Sequence, residues 1–333
     1  FTEPEDKLNY FNDNRTTLVK RNSSDYYKAL ASSKYWIVNS MIPEHIKKKK
    51  DQVYVQTWHG TPLKRLRYDI IATGSKTNTT SEIRKRNDID VKKIDYFLSP
   101  SKFATEKFTS AFNFKKLGKE NIIIEKGYPR NESLFRNINK DKLKEQLKIP
   151  IDKKIIFYAP TFRDDSYNVN IGYTHNINID FDNLKNEIGN DYIVLFRPHY
   201  FVANQFDFDR FKGFIYDVTN VDDINDLYIV SDLLITDYSS VFFDFANTKK
   251  PMIFYMYDLE NYEDNLRGFY LDLVELPGPI VKNEKELINQ IKNLDIQNHQ
   301  NKYKKFNAKF NYLDNEFVSS KVLKEIIDKD VIL

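Results

Sequence analysis

The chain has 333 residues, of which 41% are hydrophobic and 30% are charged, and it contains no cysteine. This composition suits one large domain or two medium ones, and it excludes wholesale disorder, a disulfide framework, a zinc–thiolate site and a cysteine nucleophile. The net charge of +3 argues against a protein that mainly coats nucleic acid. No apolar run is long enough to span a bilayer, and the acidic, polar first residues do not resemble a signal peptide. We therefore expect a cytoplasmic protein, either soluble or peripheral to a membrane.

Short apolar runs alternate with amphipathic segments along nearly the whole chain. Runs rich in β-branched and aromatic residues predict strands at residues 35–38, 53–56, 96–99, 122–124, 155–158, 192–196, 214–216, 233–236 and 252–255. Helical patterns lie between them, for example at residues 103–112, 140–147, 180–188, 239–247 and 284–294. Because most of the runs are apolar on both faces, they predict parallel strands covered by helices, in an α/β fold.

A polar segment at residues 136–154 separates the predicted strands into two groups. We interpret it as the boundary between two doubly wound, Rossmann-like domains, residues 1–140 and residues 141–333, which face each other across a cleft. A C-terminal helix at residues 317–327 is expected to pack back toward the first domain. Ligands of such sheets bind at the carboxyl ends of the strands, so the residues directly after each strand are the candidates for function.

The first candidate motif is the run TWHGTPLK, residues 57–64, directly after a predicted strand. Glycine, threonine and proline after His59 force the chain to turn, which exposes the imidazole at the strand's carboxyl end. With an ordinary pKa of about 6.5, this side chain can act as a general base near neutral pH. A histidine that only stabilises a turn explains the isolated motif equally well.

The second motif, Arg197-Pro198-His199, ends another predicted strand. A guanidinium offers a planar fork for phosphate oxygens, and the neighbouring imidazole can donate a hydrogen bond or a proton. A surface salt bridge is the simpler explanation for a single arginine. Two of only five histidines lie directly after predicted strands, one in each predicted domain. This placement favours a functional role for His59 and His199 over a chance arrangement.

The third motif, Thr236-Asp237-Tyr238-Ser239-Ser240, joins a predicted strand to a predicted helix. Alone it is explained by ordinary helix capping. Backbone N–H groups and hydroxyls at a helix start also suit a phosphate, and we favour this role because the motif would share a sheet edge with Arg197.

A fourth run, residues 159–165, places Thr161, Arg163, Asp164 and Asp165 at the same edge. The two adjacent carboxylates point in different directions and lack a third partner, so we do not expect a metal. Signatures of dinucleotide-binding, P-loop, zinc-protease and serine-hydrolase sites do not occur. These motifs together predict an enzyme whose second domain binds the phosphates of a nucleotide-linked donor and whose first domain supplies a histidine base.

The runs QTWHGTPLKRL, SPSKFATEKFTSAF, GYPRNE, FYAPTFRDD, RPH and ITDYSSVFFDFA, followed by RGFY and LPGPIV, occur in this order. Together they resemble the CDP-glycerol glycerophosphotransferases, which are the teichoic acid polymerases and primases of Gram-positive bacteria and relatives that build capsules. The resemblance extends from about Tyr26 to the C-terminal helix. The joint occurrence of HGTPLK, RPH and TDYSS makes it specific.

The resemblance implies a GT-B fold without a metal or another cofactor. It implies transfer of glycerol phosphate from CDP-glycerol to a hydroxyl of a lipid-linked glycan or a growing poly(glycerol phosphate) chain, with release of CMP. It also implies peripheral contact with the inner face of the cell membrane. The first domain would then bind the acceptor, and the second would bind the donor.

The resemblance also assigns roles to individual residues. His59 would be the general base, and His199 would be the second catalytic histidine, binding the pyrophosphate with Arg197. The remaining donor-binding residues would be Asp237, Ser239, Ser240, Thr161 and Arg163, and the acceptor-side residues would be Gly60, Thr61 and Lys64.

Two departures from the family pattern stand out. The run Arg65–Asp69 lacks a glycine that usually precedes the aspartate, and Leu313-Asp314-Asn315 stands where Asp-Gly is common. We expect both to affect substrate preference without touching the catalytic histidines.

Three alternative functions stay open at the level of sequence. The same fold could use CDP-ribitol, since a few contacts distinguish the two polyols. A GT-B glycosyltransferase that uses nucleotide sugars is a more distant possibility, because fold alone does not define the reaction. The non-enzymatic alternative is a module that binds anionic polymers through lysine-rich surfaces.

Overall fold

A computed structural model describes residues 15–70, 79–161, 167–168, 172–173, 178–198, 206–260, 268–294 and 296–332. Two parallel sheets form the centre of this part of the chain. The first sheet has the strand order β1-β2-β3-β4, and the second has the order β12-β11-β10-β5-β8-β9. A short antiparallel hairpin, β6-β7, stands apart from both.

The strands agree closely with the predicted apolar runs. In the first sheet they are β1 Tyr35–Val38, β2 Val53–Gln56, β3 Tyr96–Ser99 and β4 Ile123–Glu125. In the second sheet and the hairpin they are β5 Lys154–Ala159, β6 Tyr167–Asn168, β7 Gly172–Tyr173, β8 Tyr192–Phe196, β9 Ile215–Asp217, β10 Leu233–Thr236, β11 Met252–Tyr255 and β12 Ile280–Val281. The two-residue strands β6, β7 and β12 were not predicted, because so short a run carries no periodic signal.

Helices connect and flank these strands. The α-helices of the described residues are α1 Ser24–Ser32, α2 Thr80–Val91, α3 Lys102–Ala111, α4 Lys140–Gln146, α5 Phe181–Ile188, α6 Ile224–Val230, α7 Val241–Phe245, α8 Glu284–Lys292, α9 Ile296–Phe310 and α10 Val318–Ile332. The helix predicted at residues 239–247 is shorter than expected, since α7 ends at Phe245 and continues as the 3-10 turn Ala246–Thr248. The C-terminal helix is longer than expected, by five residues at its end. No helix in the described part of the chain is long and apolar enough to cross a bilayer.

The connections of the second sheet reverse direction at β5. From β5 the chain builds the sheet outward through β8 and β9, then crosses back and adds β10, β11 and β12 on the other side. A crevice therefore opens between the carboxyl ends of β5 and β10, which is where ligands of doubly wound sheets bind. Two of the predicted site motifs begin at these two strand ends.

Apolar side chains cover both faces of each sheet. On one face of the first sheet, Val318, Val322 and Ile326 of α10 pack against strand residues such as Val55 and Leu98. Each fully buried aliphatic side chain of this kind contributes about 1.5–3 kcal/mol. The C-terminal helix therefore belongs to the core of the first sheet, although it follows the second sheet in sequence.

The segment between the two sheets contains α4, whose Leu143 is part of the core of the second sheet. We propose that the division between the domains lies just before this helix, near residue 140. Leu63, on the loop after β2 of the first sheet, also packs into the core of the second sheet. The two halves thus share apolar contacts as well as the chain that joins them.

A buried polar network joins the two sheets and the C-terminal segment around Asp314. Its carboxylate accepts hydrogen bonds from the Tyr128 backbone N–H (2.8 Å) and from the Nδ2 atoms of Asn131 (2.7 Å) and Asn247 (3.0 Å). Gly127 lets the chain approach, since a Cβ there would stand 2.9 Å from the Leu313 carbonyl oxygen. Burial is the main cause that raises the pKa of Asp314, to about 6. The carboxylate is accommodated because three N–H donors face it.

Replacing this carboxylate should destabilise the folded chain. Asp314→Ala leaves three buried N–H donors without their acceptor, so we expect the free energy of unfolding to fall by about 1–3 kcal/mol or more. Urea denaturation followed by circular dichroism measures this loss. The neighbouring Glu316→Ala is the control, because that side chain is exposed and should change stability by less than about 0.5 kcal/mol. Equal stabilities of the two variants would contradict the role of Asp314.

Candidate active site

A cavity of about 440 Å³ lies between the carboxyl ends of the two sheets. The turn after β2 lines it from the first sheet, and the residues that follow β5, β8 and β10 line it from the second. The residues predicted from sequence that line it are His59, Gly60, Thr61, Lys64, Thr161, Arg197, Ser239 and Ser240. His199 and Arg163 lie outside the described residues, as do Asp164 and Asp165.

The turn that carries His59 depends on an unusual backbone conformation at Trp58. This residue has a positive φ of 54°, which is a strained conformation for a bulky side chain. Its N–H donates to Gln56 Oε1 at 2.9 Å, the residue is 6% exposed, and 4.9 Å separates the centroids of its ring and the Phe112 ring. Burial of the indole offsets the strain. The chain then reverses, and the His59 ring stacks on the indole with 4.2 Å between the ring centroids.

The turn after β2 of the first sheet meets the loop after β10 of the second where Gly60 lies against Ser240. A Cβ on Gly60 would stand 2.8 Å from the Ser240 hydroxyl oxygen, so only glycine fits without moving that hydroxyl. Ser240 is the N-cap residue of α7, yet its side chain makes no capping hydrogen bond. The Ser239 hydroxyl oxygen is 3.5 Å from the Val241 nitrogen, which is at the limit of a hydrogen bond. Helix capping therefore does not account for the two hydroxyls, and both line the cavity.

The surroundings of His59 favour its neutral form. Burial lowers the pKa of the imidazole, and the positive charges of Arg130 and Arg67 lower it further. Arg67 also lies over the Trp58 ring, 5.8 Å from the centroid. Arg67 belongs to the run that departs from the family pattern, and it is close enough for its charge to act on His59.

Arg197 and Asp237 hold the loops on the side of the second sheet. The Arg197 guanidinium donates to the Val221 carbonyl oxygen at 3.0 Å, and burial lowers the pKa of this side chain, although arginine stays charged. Asp237 is 3% exposed and is not among the lining residues. Its carboxylate accepts hydrogen bonds from the backbone N–H groups of Thr161 (2.8 Å) and Tyr238 (2.6 Å). Asp237 thus connects the loop after β5 to the loop after β10, and it supports the cavity without lining it.

A second cross-connection pairs the segment after HGTP with the RGFY run. The Arg65 N–H donates to the Gly268 carbonyl oxygen at 3.0 Å, and the Tyr270 N–H donates to the Leu63 carbonyl oxygen at 2.8 Å. The Tyr270 hydroxyl donates to Asp69 Oδ2 at 2.5 Å. The loop after β2 is therefore anchored to the second half of the chain by backbone pairing.

Sequence reasoning gave no role to Arg130, which lies in the GYPRNE run. Its Nη2 atom is 2.6 Å from Asp244 Oδ2, and Asp244 Oδ1 also accepts from Asn131 at 3.0 Å. Asp244 raises the pKa of Arg130 against the opposing effect of burial, so the guanidinium is held in its charged form. The GYPRNE run is recognisable in the sequence, but Asp244, the partner of Arg130, lies 114 residues away.

Among the described residues, no group of three or more histidines, aspartates and glutamates could hold a metal ion. The positive groups around the cavity are instead Arg197, Lys64, Arg130 and Arg67. This arrangement suits a ligand that carries phosphate charge.

The sequence matches the family described as CDP-Glycerol:Poly(glycerophosphate) glycerophosphotransferase over residues 3–328. The chain belongs to this family. The teichoic acid poly(glycerol phosphate) polymerase of Bacillus subtilis (strain 168) is 43% identical over 322 residues, covering 95% of this chain and 42% of the relative. The teichoic acid glycerol-phosphate transferase of Staphylococcus aureus (strain NCTC 8325 / PS 47) is 40% identical, covering 86% of this chain and 73% of the relative. The family predicted from the motifs is confirmed.

This member of the glycerophosphotransferase family also resembles solved structures of the wall teichoic acid polymerase TagF. One matches with a TM-score of 0.86 at 37% identity, covering 98% of this chain and 84% of that one. A TagF variant with a histidine replaced by asparagine, soaked with CDPG, matches with a TM-score of 0.86 at 36% identity and the same coverage. These matches confirm the GT-B-like fold. The chain spans less than half the length of the Bacillus subtilis and Staphylococcus epidermidis polymerases, 42% and 44%.

The contact between Gly60 and Ser240 can be tested by a double-mutant cycle. We expect Gly60→Ala to lower the free energy of unfolding by about 1 kcal/mol, because the new methyl group displaces the Ser240 hydroxyl. In a Ser240→Ala background the same change should cost almost nothing, since the displaced oxygen is gone. Denaturation of the four proteins measures both values. An equal cost of Gly60→Ala in the two backgrounds would show that the two sheets do not meet there.

Proposed function

We propose that this chain transfers glycerol phosphate from CDP-glycerol to a hydroxyl of a growing poly(glycerol phosphate) chain or a lipid-linked glycan, releasing CMP. The observation that carries the proposal is the cavity. The turn with His59 lines it from the side of the first sheet, and Ser239, Ser240 and Arg197 line it from the side of the second. The family and the polymerase names of its relatives support the same reaction. The TagF structure soaked with CDPG supports a CDP-linked donor.

In this reaction the acceptor oxygen forms a new bond to phosphorus, and the phosphoanhydride bond to CMP breaks. The acceptor proton needs a base, and His59 is suited to take it because its imidazole is held neutral and reaches the cavity. Negative charge spreads over the nonbridging phosphate oxygens as the bond changes. Fixed cations and hydroxyl donors stabilise such charge without reorganising, which is the main contribution to catalysis of phosphoryl transfer.

The donor would occupy the side of the second sheet. Its pyrophosphate fits the crevice between β5 and β10, where Ser239, Ser240 and Thr161 line the cavity and Arg197 supplies positive charge. His199 and Arg163, which the family resemblance assigns to the same phosphates, complete this proposal. The acceptor would enter on the side of Gly60, Thr61 and Lys64. Opposed halves of this kind exclude water from the transferred group and limit hydrolysis of the donor.

A lipid-linked acceptor would bring the chain to the inner face of the cell membrane. We propose that this contact is peripheral. The basic sequence pI of about 8.6 supports attraction to an anionic membrane surface.

A donor screen tests the proposed reaction. We expect CMP release with CDP-glycerol and a poly(glycerol phosphate) primer, with slower or no release from CDP-ribitol and no UDP or GDP from nucleotide sugars. Relatives named as ribitol-phosphate polymerases make CDP-ribitol the necessary comparison, although one of them is only 31% identical over 260 residues. EDTA should leave the rate unchanged, because arginines and hydroxyls rather than a divalent ion meet the phosphate charge. A donor other than CDP-glycerol used best, or activity lost in EDTA and restored by Mg²⁺, would contradict the proposal.

The pH dependence of turnover tests His59 as the base. Since burial and two arginines lower its pKa below 6.5, kcat/KM should be flat at neutral pH and fall only when the pH drops through that lowered value. His59→Ala should lose about 10²–10⁴-fold in turnover together with this acid limb. His45→Ala is the matched control, because His45 is an exposed histidine of the same half of the chain. Turnover of a folded His59→Ala variant within a few-fold of the wild type would exclude the base assignment.

A further inference from the structure

Arg130 lies at the junction of the two halves of the chain. It is the second residue of the 3-10 segment Pro129–Phe135, which follows β4 of the first sheet. Its guanidinium reaches Asp244 on α7 of the second half at 2.6 Å and lies over the Tyr128 ring, 4.6 Å from the centroid. Its backbone carbonyl accepts a hydrogen bond from the Asn225 side chain of α6. Both the main chain and the side chain of Arg130 therefore connect the two halves.

The same guanidinium lies next to the turn that carries His59. Its Nη2 atom is 3.7 Å from the position that a Cβ would take on Gly60, and the Ser240 hydroxyl oxygen is 2.8 Å from that position. The first sheet's turn, the second sheet's hydroxyl and the guanidinium thus meet around one glycine. Gly60 and Ser240 both line the cavity, so Arg130 stands directly beside its lining.

The exposure of this ion pair is unequal. The Asp244 side chain is 9% exposed, whereas the Arg130 side chain is 36% exposed. Asp244 is further held by Asn131 Nδ2 at 3.0 Å, which fixes the carboxylate that orients the guanidinium. Neutralising the buried Asp244 carboxylate does not require that part of the guanidinium stay accessible, as it does here. Its remaining N–H donors are available to a charged ligand.

We propose that Arg130 is a positioning residue of the active site. Oriented by Asp244, its guanidinium holds the His59 turn of the first sheet against Ser240 of the second and places a fixed positive charge beside the reacting phosphate. This inference rests on the proposed function for the identity of that phosphate. The position of Arg130 relative to His59 stands independently of it.

The electrostatics agree with this geometry. Among the described residues, the groups whose charge acts on Arg130 are Asp244, Tyr128 and Tyr228, and those whose charge acts on His59 are Arg130 and Arg67. A positive charge close to an imidazole disfavours its protonated form. Arg130 therefore helps to keep the base unprotonated, while Asp244 keeps the guanidinium charged and in place.

The experiment has one readout without substrate and one with it. The chain has five histidines, so a ¹H–¹⁵N NMR titration assigned with the His59→Ala variant gives the pKa of His59 directly. Arg130→Gln should raise that pKa and move the acid limb of kcat/KM to higher pH. It should also lower kcat/KM by tenfold or more, since hydrogen bonds to charged groups are lost. Arg130→Lys should restore the pKa of His59 but only part of the rate, because an ammonium cannot form the planar fork.

Two further variants keep the test decisive. Arg136→Gln is the matched control, because Arg136 follows the same 3-10 segment and also pairs with a carboxylate, that of Glu132 at 3.2 Å, but its side chain is 61% exposed. It should change neither readout. The double variant Arg130→Gln/Asp244→Asn leaves no unpaired buried carboxylate, so it should fold as judged by its melting curve and still be slow.

The possible results separate the two hypotheses. An unchanged His59 titration in folded Arg130→Gln, or wild-type turnover in the double variant, would overturn the role of Arg130. Absence of CMP release from CDP-glycerol by the wild type would instead overturn the proposed function, and the NMR titration would still decide whether Arg130 acts on His59.

Discussion

The ion pair between Arg130 and Asp244 is the interaction on which the geometry of the cavity depends. It joins the segment after β4 to α7, and Asn131 extends it to Asp314 and the C-terminal segment. Removing two charges from water is costly, so a pair of this kind contributes little net stability. We infer that its role is to define how the two sheets face each other.

The direction of the strands explains why the chemistry lies at this edge. All strands of the two main sheets are parallel, so their carboxyl ends collect the loops that can carry function. The reversal of strand order at β5 opens the crevice. The Asp237 carboxylate joins the loops on its two sides, because it accepts hydrogen bonds from the backbone N–H groups of Thr161 and Tyr238. The first sheet contributes His59, the proposed base, through a strained turn at Trp58. Burial of the Trp58 indole, which also lines the cavity, offsets the strain of that turn.

Much of this arrangement follows from sequence, and the exceptions have physical causes. The long apolar runs placed β1, β2, β3, β8, β10 and β11 at their observed limits, and the rule about strand ends selected eight residues that line the cavity. The helix after Ser240 is shorter than predicted, because it begins only at Val241 and passes into a 3-10 turn at Ala246. Arg130 was missed because an ion pair between residues 130 and 244 leaves no local pattern. The left-handed conformation of Trp58 was missed because burial of its ring against Phe112, which is distant in sequence, helps to stabilise it.

A crystal structure of the chain with CDP-glycerol tests the central claim most directly. The account predicts that the pyrophosphate lies between the Gly60 turn and the loop after β10, within hydrogen-bond distance of Ser240 and Arg197. The phosphorus of the glycerol phosphate should then face His59 with the Arg130 guanidinium beside it. A donor bound elsewhere, or bound here with its phosphates turned away from both the serines and His59, would contradict the account.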